Sequence, residues 1–375
     1  MVEKEKETRL FKIRPETEKE QMALDMFHFF NGQKVFSKTN IDDIDISTEF
    51  IGQYFDLCEQ KKLLIPHGDP ASDMLTFNAK ERKILGIGFR DERCFLTVMD
   101  MGGNITAREC VETGQLVKGK VKSKDIEEII RSIGEKTGLM DNNFACCGVA
   151  VPEEMIRANP KSIDLISSGV ENIFGCTVFT TTSATAAGYG DRDFCSETAG
   201  KNILYMYSDV GIGVILKKES IFEADEYSEV NYGAYLRPWN QFSIVNTTKD
   251  LVARGVGTDI VEMVKGDIDA ITTNIVLKAA ERKDELAEDL VKRSGLALGV
   301  RVAYLVNMFN VEFVLFGGGT EKDEGGFVGS VQESMGKFLS KEVMDNLKII
   351  PGVLGEEASS VGAAALCRRE MFMEV

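Results

Sequence analysis

The sequence predicts an α/β chain of two similar lobes behind a small helical module, and three observations carry that prediction. A pattern of strand, turn, strand, turn, strand, then helices, occurs twice, first from Lys83 and again from Asn202. Glycine is abundant at 35 residues and proline scarce at 7, and the glycines fall mostly at strand ends and turns of the middle and C-terminal parts. Before Lys83 the pattern is different: three helical stretches followed by one short strand.

With 375 residues the chain is long enough for two or three domains, each with a sizeable core. Hydrophobic residues at 43% and charged residues at 28% are ordinary for a water-soluble globular protein. No apolar run approaches the roughly 18 residues a membrane span needs. The opening MVEKEKETRLFKIRPETEKE is charged throughout, so no secretory signal and a cytoplasmic location are expected. The eight cysteines are scattered, with Cys146 and Cys147 the one close pair, and His28 and His67 lie far from the later cysteines. Zinc-ligand spacing is absent, so reduced thiols, no metal and no cofactor are expected. The formal charge of -16 argues against a large non-specific phosphate-binding surface, while leaving room for a local basic patch.

Residues 1–20 read as frayed or helical. MALDMFHFF is an apolar helical run that Asn31-Gly32 ends as a C-cap does. SKTNIDDI reads as a short second helix starting at Ser37. Asp45 or Ser47 then caps a third helix, STEFIGQYFDLCEQKKLL, in which Phe50, Ile51, Tyr54, Phe55, Leu57 and Cys58 form the apolar face. Pro66-His67-Gly68-Asp69-Pro70 is a turn and MLTFN a short strand. Three helices and a hairpin make a winged helix-turn-helix, whose third helix enters the major groove. That helix offers Thr48, Glu49, Gln53 and Gln60 outward, with Lys61 and Lys62 at its end; Thr48, Gln53, Lys61 and Lys62 are the candidate DNA contacts. Against this stands an acidic balance, 11 Lys plus Arg to 15 Asp plus Glu over residues 1–80, so a module used for dimer packing or protein contact stays open.

From Lys83, KILGIGFRDERCFLTVMDMGGNITARECVE reads as three antiparallel strands, with glycines in DMGGN permitting the second turn. The helix SKDIEEIIRSIGEKTG, the buried strand FACCGVAVP, the helix IDLISSGVENIFG and the strand CTVFTT follow. SATAAGYGD then starts a helix. NILYMYSDVGIGVILKKESIFEA repeats the opening meander. Two such copies give two lobes with a cleft between them, the actin and sugar-kinase, or ribonuclease H-like, architecture.

Four segments make the resemblance specific. KILGIGFRDERCFLTVMDMGGNI, VFTTTSATAAGYGD, SDVGIGVILKKESIF, and LVNMFNVEFVLFGGGT with SSVGAAALCRREMF resemble, in order and spacing, the ROK family of sugar kinases and sugar-responsive repressors. A winged helix before the lobe pair is the arrangement of that family's repressor branch. The resemblance implies domains at 1–80, 81–195 and 196–375, the last helix packing back on the first lobe. It also implies a homodimer, since paired half-sites need two copies.

The kinase motifs depart from the family pattern. Where its kinases open with Asp-x-Gly-Gly-Thr, this chain has Gly86-Ile87-Gly88-Phe89-Arg90-Asp91. Ser183, in Thr182-Ser183-Ala184-Thr185, stands at the place of the catalytic aspartate, and a serine without a base partner cannot deprotonate a sugar hydroxyl at neutral pH. The sugar-binding Glu and His of the family fall on Asn231 and Ala234, and the zinc-binding cysteine cluster has no counterpart in PWNQFSIVNTTKDL. Gly88, Gly211, Gly213, Gly317 and Gly318 remain as vestiges of the nucleotide turns, although tight turns and close packing alone also keep glycines. Asp209, just before Gly211, would repel phosphate. Thr182, Ser183, Glu229 and Asn231 are polar groups for a sugar ligand, with Tyr232, Tyr235 and Trp239 as stacking candidates; Ser183 serving only as a helix cap is the plainer role.

The resulting expectation is a non-enzymatic regulator that binds operator DNA through residues 1–80 and senses a sugar in the cleft. The alternative is a sugar kinase, or a non-catalytic sugar-binding relative, that never touches DNA.

Overall fold

The computed structural model describes residues 9–12, 14–39, 41, 44–69, 72–90, 93–113, 123–140, 143–207, 212–217, 220–224, 243–321 and 326–375. Two units emerge, one running to Ala186 and including Ser359–Val375, the other Ala187–Ala358.

In the first unit, β1 (Arg9–Leu10) precedes α1 (Glu18–Phe30), β2 (Phe36–Ser37), α2 (Thr48–Gln60), β3 (Leu64–Pro66) and β4 (Met74–Phe77). Thr17 caps α1 by accepting the Glu20 N–H and Ser47 caps α2 by accepting that of Phe50, each satisfying a donor that a helix start leaves open. Spacings of three and four put Leu24, Phe27 and Phe30 on the buried side of α1, and Ile51, Tyr54, Phe55 and Cys58 on that of α2. β2, β4 and β3 pair antiparallel beside them. Phe30, Phe36, Phe55 and Phe77 interlock, with ring centroids 4.8 to 6.2 Å apart. Burying each such ring stabilises the module by about 1.5–3 kcal/mol.

Two expectations here are corrected. No helix starts at Ser37: Phe36 and Ser37 pair with Leu75 and Met74, and the Lys38 N–H donates to the Asp73 carbonyl. Burial of Phe36 in the aromatic cluster fixes this stretch as a strand, and the Ser37 hydroxyl accepts from the Thr39 N–H in a local turn. Asn40, Asp42 and Asp43 lie outside the described residues. The third helix stops at Gln60 rather than running through Leu64. Lys62 takes a φ of 55°, the left-handed conformation that closes a helix, and Leu64 already belongs to β3.

The first unit continues with β5 (Lys83–Arg90), β6 (Arg93–Asp100), β7 (Ile105–Glu112), α3 (Ser123–Thr137), β8 (Phe144–Val151), α4 (Glu153–Ala158), α5 (Ser162–Phe174) and β9 (Thr177–Thr182); α6 (Ser183–Phe194) counts with it up to Ala186 and with the second unit from Ala187. The sheet order is β1-β9-β8-β5-β6-β7, with the β5-β6-β7 meander antiparallel and β5, β8, β9 and β1 parallel. The expected turn after β6 is present, with Gly103 at φ 87° and the Asn104 N–H donating to the Asp100 carboxylate. Leu85, Ile87 and Phe89 face α3 and α5, meeting Ile130, Ile133, Ile166 and Val170. The alternate residues Gly86 and Gly88 face the other way, as strand geometry requires.

The second unit repeats the meander as β10 (Ile203–Tyr207), β11 (Ile212–Lys217) and β12 (Ser220–Ala224). α7 (Ile244–Ala253), α8 (Ile260–Met263), α9 (Thr273–Glu281), α10 (Glu285–Phe309), β13 (Phe313–Gly317), α11 (Phe327–Met335), α12 (Lys341–Asn346) and β14 (Lys348–Pro351) follow. Its sheet runs β12-β11-β10-β13-β14, and Leu204, Met206, Val314 and Phe316 pack under Leu298 and Val302 of α10 and Val331 of α11. α13 (Ala358–Met373) counts with the first unit from Ser359 onward. It lies so close to the sheet that a Cβ on Gly88 would fall 2.7 Å from the Ser360 nitrogen, and one on Gly148 2.6 Å from the Ala363 carbonyl carbon. Among the described residues, no helix is long and apolar enough to cross a membrane.

Candidate ligand and nucleic-acid sites

The small residues after β9 let α6 start deep in the first unit, where Ala184 and Ala186 are fully buried. Thr182, not Ser183, caps this helix: its hydroxyl accepts the Thr185 N–H at 3.2 Å. The Ala184 N–H donates instead to Oε1 of Glu153, the first residue of α4, at 2.7 Å. Ser183 is 1% exposed and its Oγ has no hydrogen-bond partner. A buried hydroxyl left so is costly. The reading of Ser183 as a simple cap is therefore corrected.

Glu229 and Asn231, expected beside Ser183, lie outside the described residues, as do Asp209, Gly211, Tyr232, Ala234, Tyr235 and Trp239. The remaining glycines separate into different roles. Gly88 sits inside β5, opposite Phe95, and Gly213 inside β11, between Met206 and Ala224, so neither forms a turn. Close approach of α13 accounts for Gly88. Gly317 ends β13 where a Cβ would fall 2.6 Å from the Tyr205 ring carbon Cζ. Gly318 does make a turn, with φ 67°. Past it, the Gly319 N–H donates to Oε2 of Glu321 at 2.7 Å.

Three carboxylates that the sequence reading missed thus shape these loops: Glu153, Glu321 and Asp191. Asp191 is 1% exposed and accepts from the Tyr205 hydroxyl at 2.7 Å and from the N–H groups of Val353 and Leu354 at 2.7 and 2.8 Å. Burial pushes its carboxyl above the usual carboxylate range, against those three hydrogen bonds. Burial likewise raises Tyr205 well above the ordinary phenol value. No sequence motif flags Glu153 or Asp191, because each finds its partner through the fold.

Of the candidate DNA contacts, Thr48 and Gln53 share the exposed side of α2, where Gln53 donates to Glu49 at 3.3 Å. Asp56 is exposed on the same helix. Lys61 is directed elsewhere, its ammonium donating to the Glu374 carbonyl at 2.7 Å, while the Lys62 carbonyl accepts from Asn78. Lys38 pairs with Glu59.

The last helix also holds this module. The Arg368 guanidinium lies 4.9, 4.7 and 5.9 Å from the ring centroids of Phe27, Phe77 and Phe372, and donates to Asn31 and to the Met101 carbonyl at 2.7 Å each. Next to it, Arg369 donates to the Lys12 carbonyl and Glu370 accepts the Lys12 N–H. Burial raises the Glu370 carboxyl to about 7, in spite of the adjacent Arg369 charge.

The described residues contain no cluster of three or more His, Cys, Asp or Glu fit to hold a metal ion. The second unit has an open surface cavity of about 490 Å³ lined by Val306, Val311, Phe313 and Leu347, with the Lys348–Glu197 and Lys201–Glu312 ion pairs at its edge. None of the candidate residues lines it.

Residues 253–370 match the ROK family model. The DNA-binding transcriptional dual regulator NagC of Escherichia coli (strain K12) is 26% identical over 105 residues, 28% of this chain and 26% of that protein. The xylose repressor of Caldicellulosiruptor bescii is 22% identical over 225 residues, 55% of this chain and 56% of that one. The alignments thus span about a quarter and just over half of these relatives. In fold, the chain is similar to a crystal structure of a ROK family transcriptional regulator, a homolog of the E. coli MLC protein, at a TM-score of 0.70 and 13% identity over 95% of this chain and 97% of that one. A ROK family glucokinase from Streptomyces griseus, solved with glucose and AMPPNP, gives a TM-score of 0.59 at 17% identity over 76% of this chain and 98% of that one. The α/β sugar-kinase-like fold and the resemblance to the ROK family's repressor-like branch are both borne out.

Proposed function

We propose that this ROK-like chain is a cytoplasmic transcriptional regulator that binds operator DNA as a homodimer through residues 1–80, responds to a sugar or sugar derivative, and does not transfer phosphate. The observation that carries the non-catalytic part is Ser183. Phosphoryl transfer to a sugar needs a general base at the hydroxyl, and this position holds a buried alcohol whose neighbouring amide is taken by Glu153. The likeness in fold supports the regulatory part, since it covers 95% of the chain for a regulator and 76% for a glucokinase. A ligand acts here only by binding two conformations with different affinity.

Selection of random duplex DNA by the purified full chain, checked by fluorescence anisotropy at two salt concentrations, tests the reading. A near-palindromic sequence bound in a salt-dependent way is expected. Absence of enrichment and of binding at low salt overturns the DNA-binding part. Sustained sugar-dependent ADP release overturns the non-catalytic part. A second reading, the N-terminal module as a packing domain, draws on one specific observation: Glu49 and Asp56 are exposed on α2 while Lys61 is engaged with Glu374.

A further inference from the structure

We propose that Cys146, Cys367 and Met371 form a binding site for one copper(I) ion at the seam between β8 and the last helix. The strand and the helix bring the three sulfurs together. Residues alternate along β8, so Cys147, Val149 and Val151 face α3 and α5, while Cys146, Gly148 and Ala150 face the other way. There α13 seats its backbone at Ala363 directly on Gly148. Two residues along a strand cover about 6.6 Å, and one turn of four residues along a helix about 6 Å. Cys146 therefore comes opposite Cys367, and Met371 follows one turn later. The Cys146 thiol donates to the Met371 sulfur at 3.1 Å, and the Cys367 thiol is hydrogen-bonded to Cys146.

The donor set selects the ion. Thiolate and thioether sulfurs are soft, polarisable donors, which suit copper(I). Zinc asks for four ligands drawn from cysteine, histidine and carboxylate, and the described residues gather no such group. Cys146 is 2% and Cys367 0% exposed, which holds off oxidants, while the half-buried Met371 leaves one edge open for entry. Burial pushes the Cys367 thiol well above its ordinary value, so it keeps its proton until a metal displaces it. Binding exchanges one copper(I) for two thiol protons, with no change of oxidation state. Two thiolate–copper bonds and one thioether–copper bond form, and the complex carries one negative charge. The bound ion ties β8 to the helix whose Phe372 completes the aromatic core of the N-terminal module.

The experiment is titration of the reduced full chain with copper(I) in the absence of oxygen, in competition with the chromogenic chelator bicinchoninate. One copper(I) per chain is expected to leave the chelator, and X-ray absorption of the product to show sulfur neighbours only. Met371→Leu keeps the volume and is expected to weaken binding at least about tenfold, and Cys367→Ala at least about a hundredfold. Cys110→Ser, at an exposed thiol on β7, is expected to change nothing. Because two protons leave, affinity is expected to rise about a hundredfold per pH unit below the thiol range. Copper(I) is also expected to raise the unfolding midpoint of the wild type and not that of Cys367→Ala. No uptake against the chelator, nitrogen or oxygen neighbours in the spectrum, or affinity unmoved by Met371→Leu overturns the inference. Should Cys367→Ala fail to fold, the spectrum of the wild type and Met371→Leu decide.

Discussion

The Tyr54 hydroxyl of α2 donates to the main-chain carbonyl of Phe372 in α13 at 3.2 Å, across 318 positions of sequence. Together with Phe27, Phe30 and Phe77, which each pack a ring on Phe372, it makes the last helix part of the N-terminal module's core. Phe372→Ala is expected to destabilise the first unit by about 3–5 kcal/mol, the range for emptying a buried aromatic site. Urea unfolding followed by circular dichroism reads this, and a loss below 1 kcal/mol would show that α13 is dispensable to the module.

Ser183→Ala should have the opposite sign in the unliganded protein. Removing a buried hydroxyl that has no partner relieves a penalty of about 1–3 kcal/mol. A higher midpoint in differential scanning fluorimetry is the expected result. A lower one would mean that the hydroxyl is satisfied in solution.

Adding a methyl at Gly148 should be poorly tolerated. The new Cβ would fall 2.6 Å from the Ala363 carbonyl carbon, backbone on backbone, so neither side yields as a flexible side chain would. Gly148→Ala is expected to cost about 3 kcal/mol or more through overpacking. Equilibrium unfolding of the purified variant measures it.

Glu370 predicts a pH dependence. Its folded carboxyl is raised from 4.5 to about 7 by burial, so the folded state holds the proton more tightly than the unfolded one. That contribution is fully present below pH 4.5 and is lost as pH rises through 7. The stability of wild type minus that of Glu370→Gln should fall by about 3 kcal/mol between those limits. Denaturant titrations of both proteins at pH 5 and pH 8 give the difference, and a flat one would place Glu370 in water.

At the proposed DNA surface, Gln53 and Lys61 should separate. Gln53→Ala is expected to weaken a selected operator by about 1–3 kcal/mol, as loss of a base contact does. Lys61→Ala is expected to leave the salt slope unchanged, since its ammonium is bound to the Glu374 carbonyl. Anisotropy over a salt series distinguishes the two, and a reduced slope for Lys61→Ala would put that residue on phosphate.

Much of the fold was legible in the sequence because it rests on local signals. The two meanders, the Asp100–Asn104 turn and the cap at Ser47 each follow from a few neighbouring residues. The strand at Phe36 was not, because its partner lies at Leu75 and a short Ser-Lys-Thr-Asn run carries no period of its own. The site was legible only in part. Ser183 is marked by its place in a recognisable segment, whereas Glu153 reaches Ala184 from 31 positions away and Asp191 reaches Leu354 from 163. Gly88 shows the converse error, a glycine that reads as a turn and is in fact kept small by α13.

The seat of Phe372 inside the aromatic cluster of Phe27, Phe30 and Phe77 also bears on how the protein is made. On the ribosome, residues 18–77 emerge nearly three hundred residues ahead of the ring that completes their core. Until residue 372 is available the nascent module keeps an uncovered aromatic face, a surface that invites aggregation or chaperone capture. On the function proposed above, the module becomes competent for DNA only after the α/β units have been synthesised.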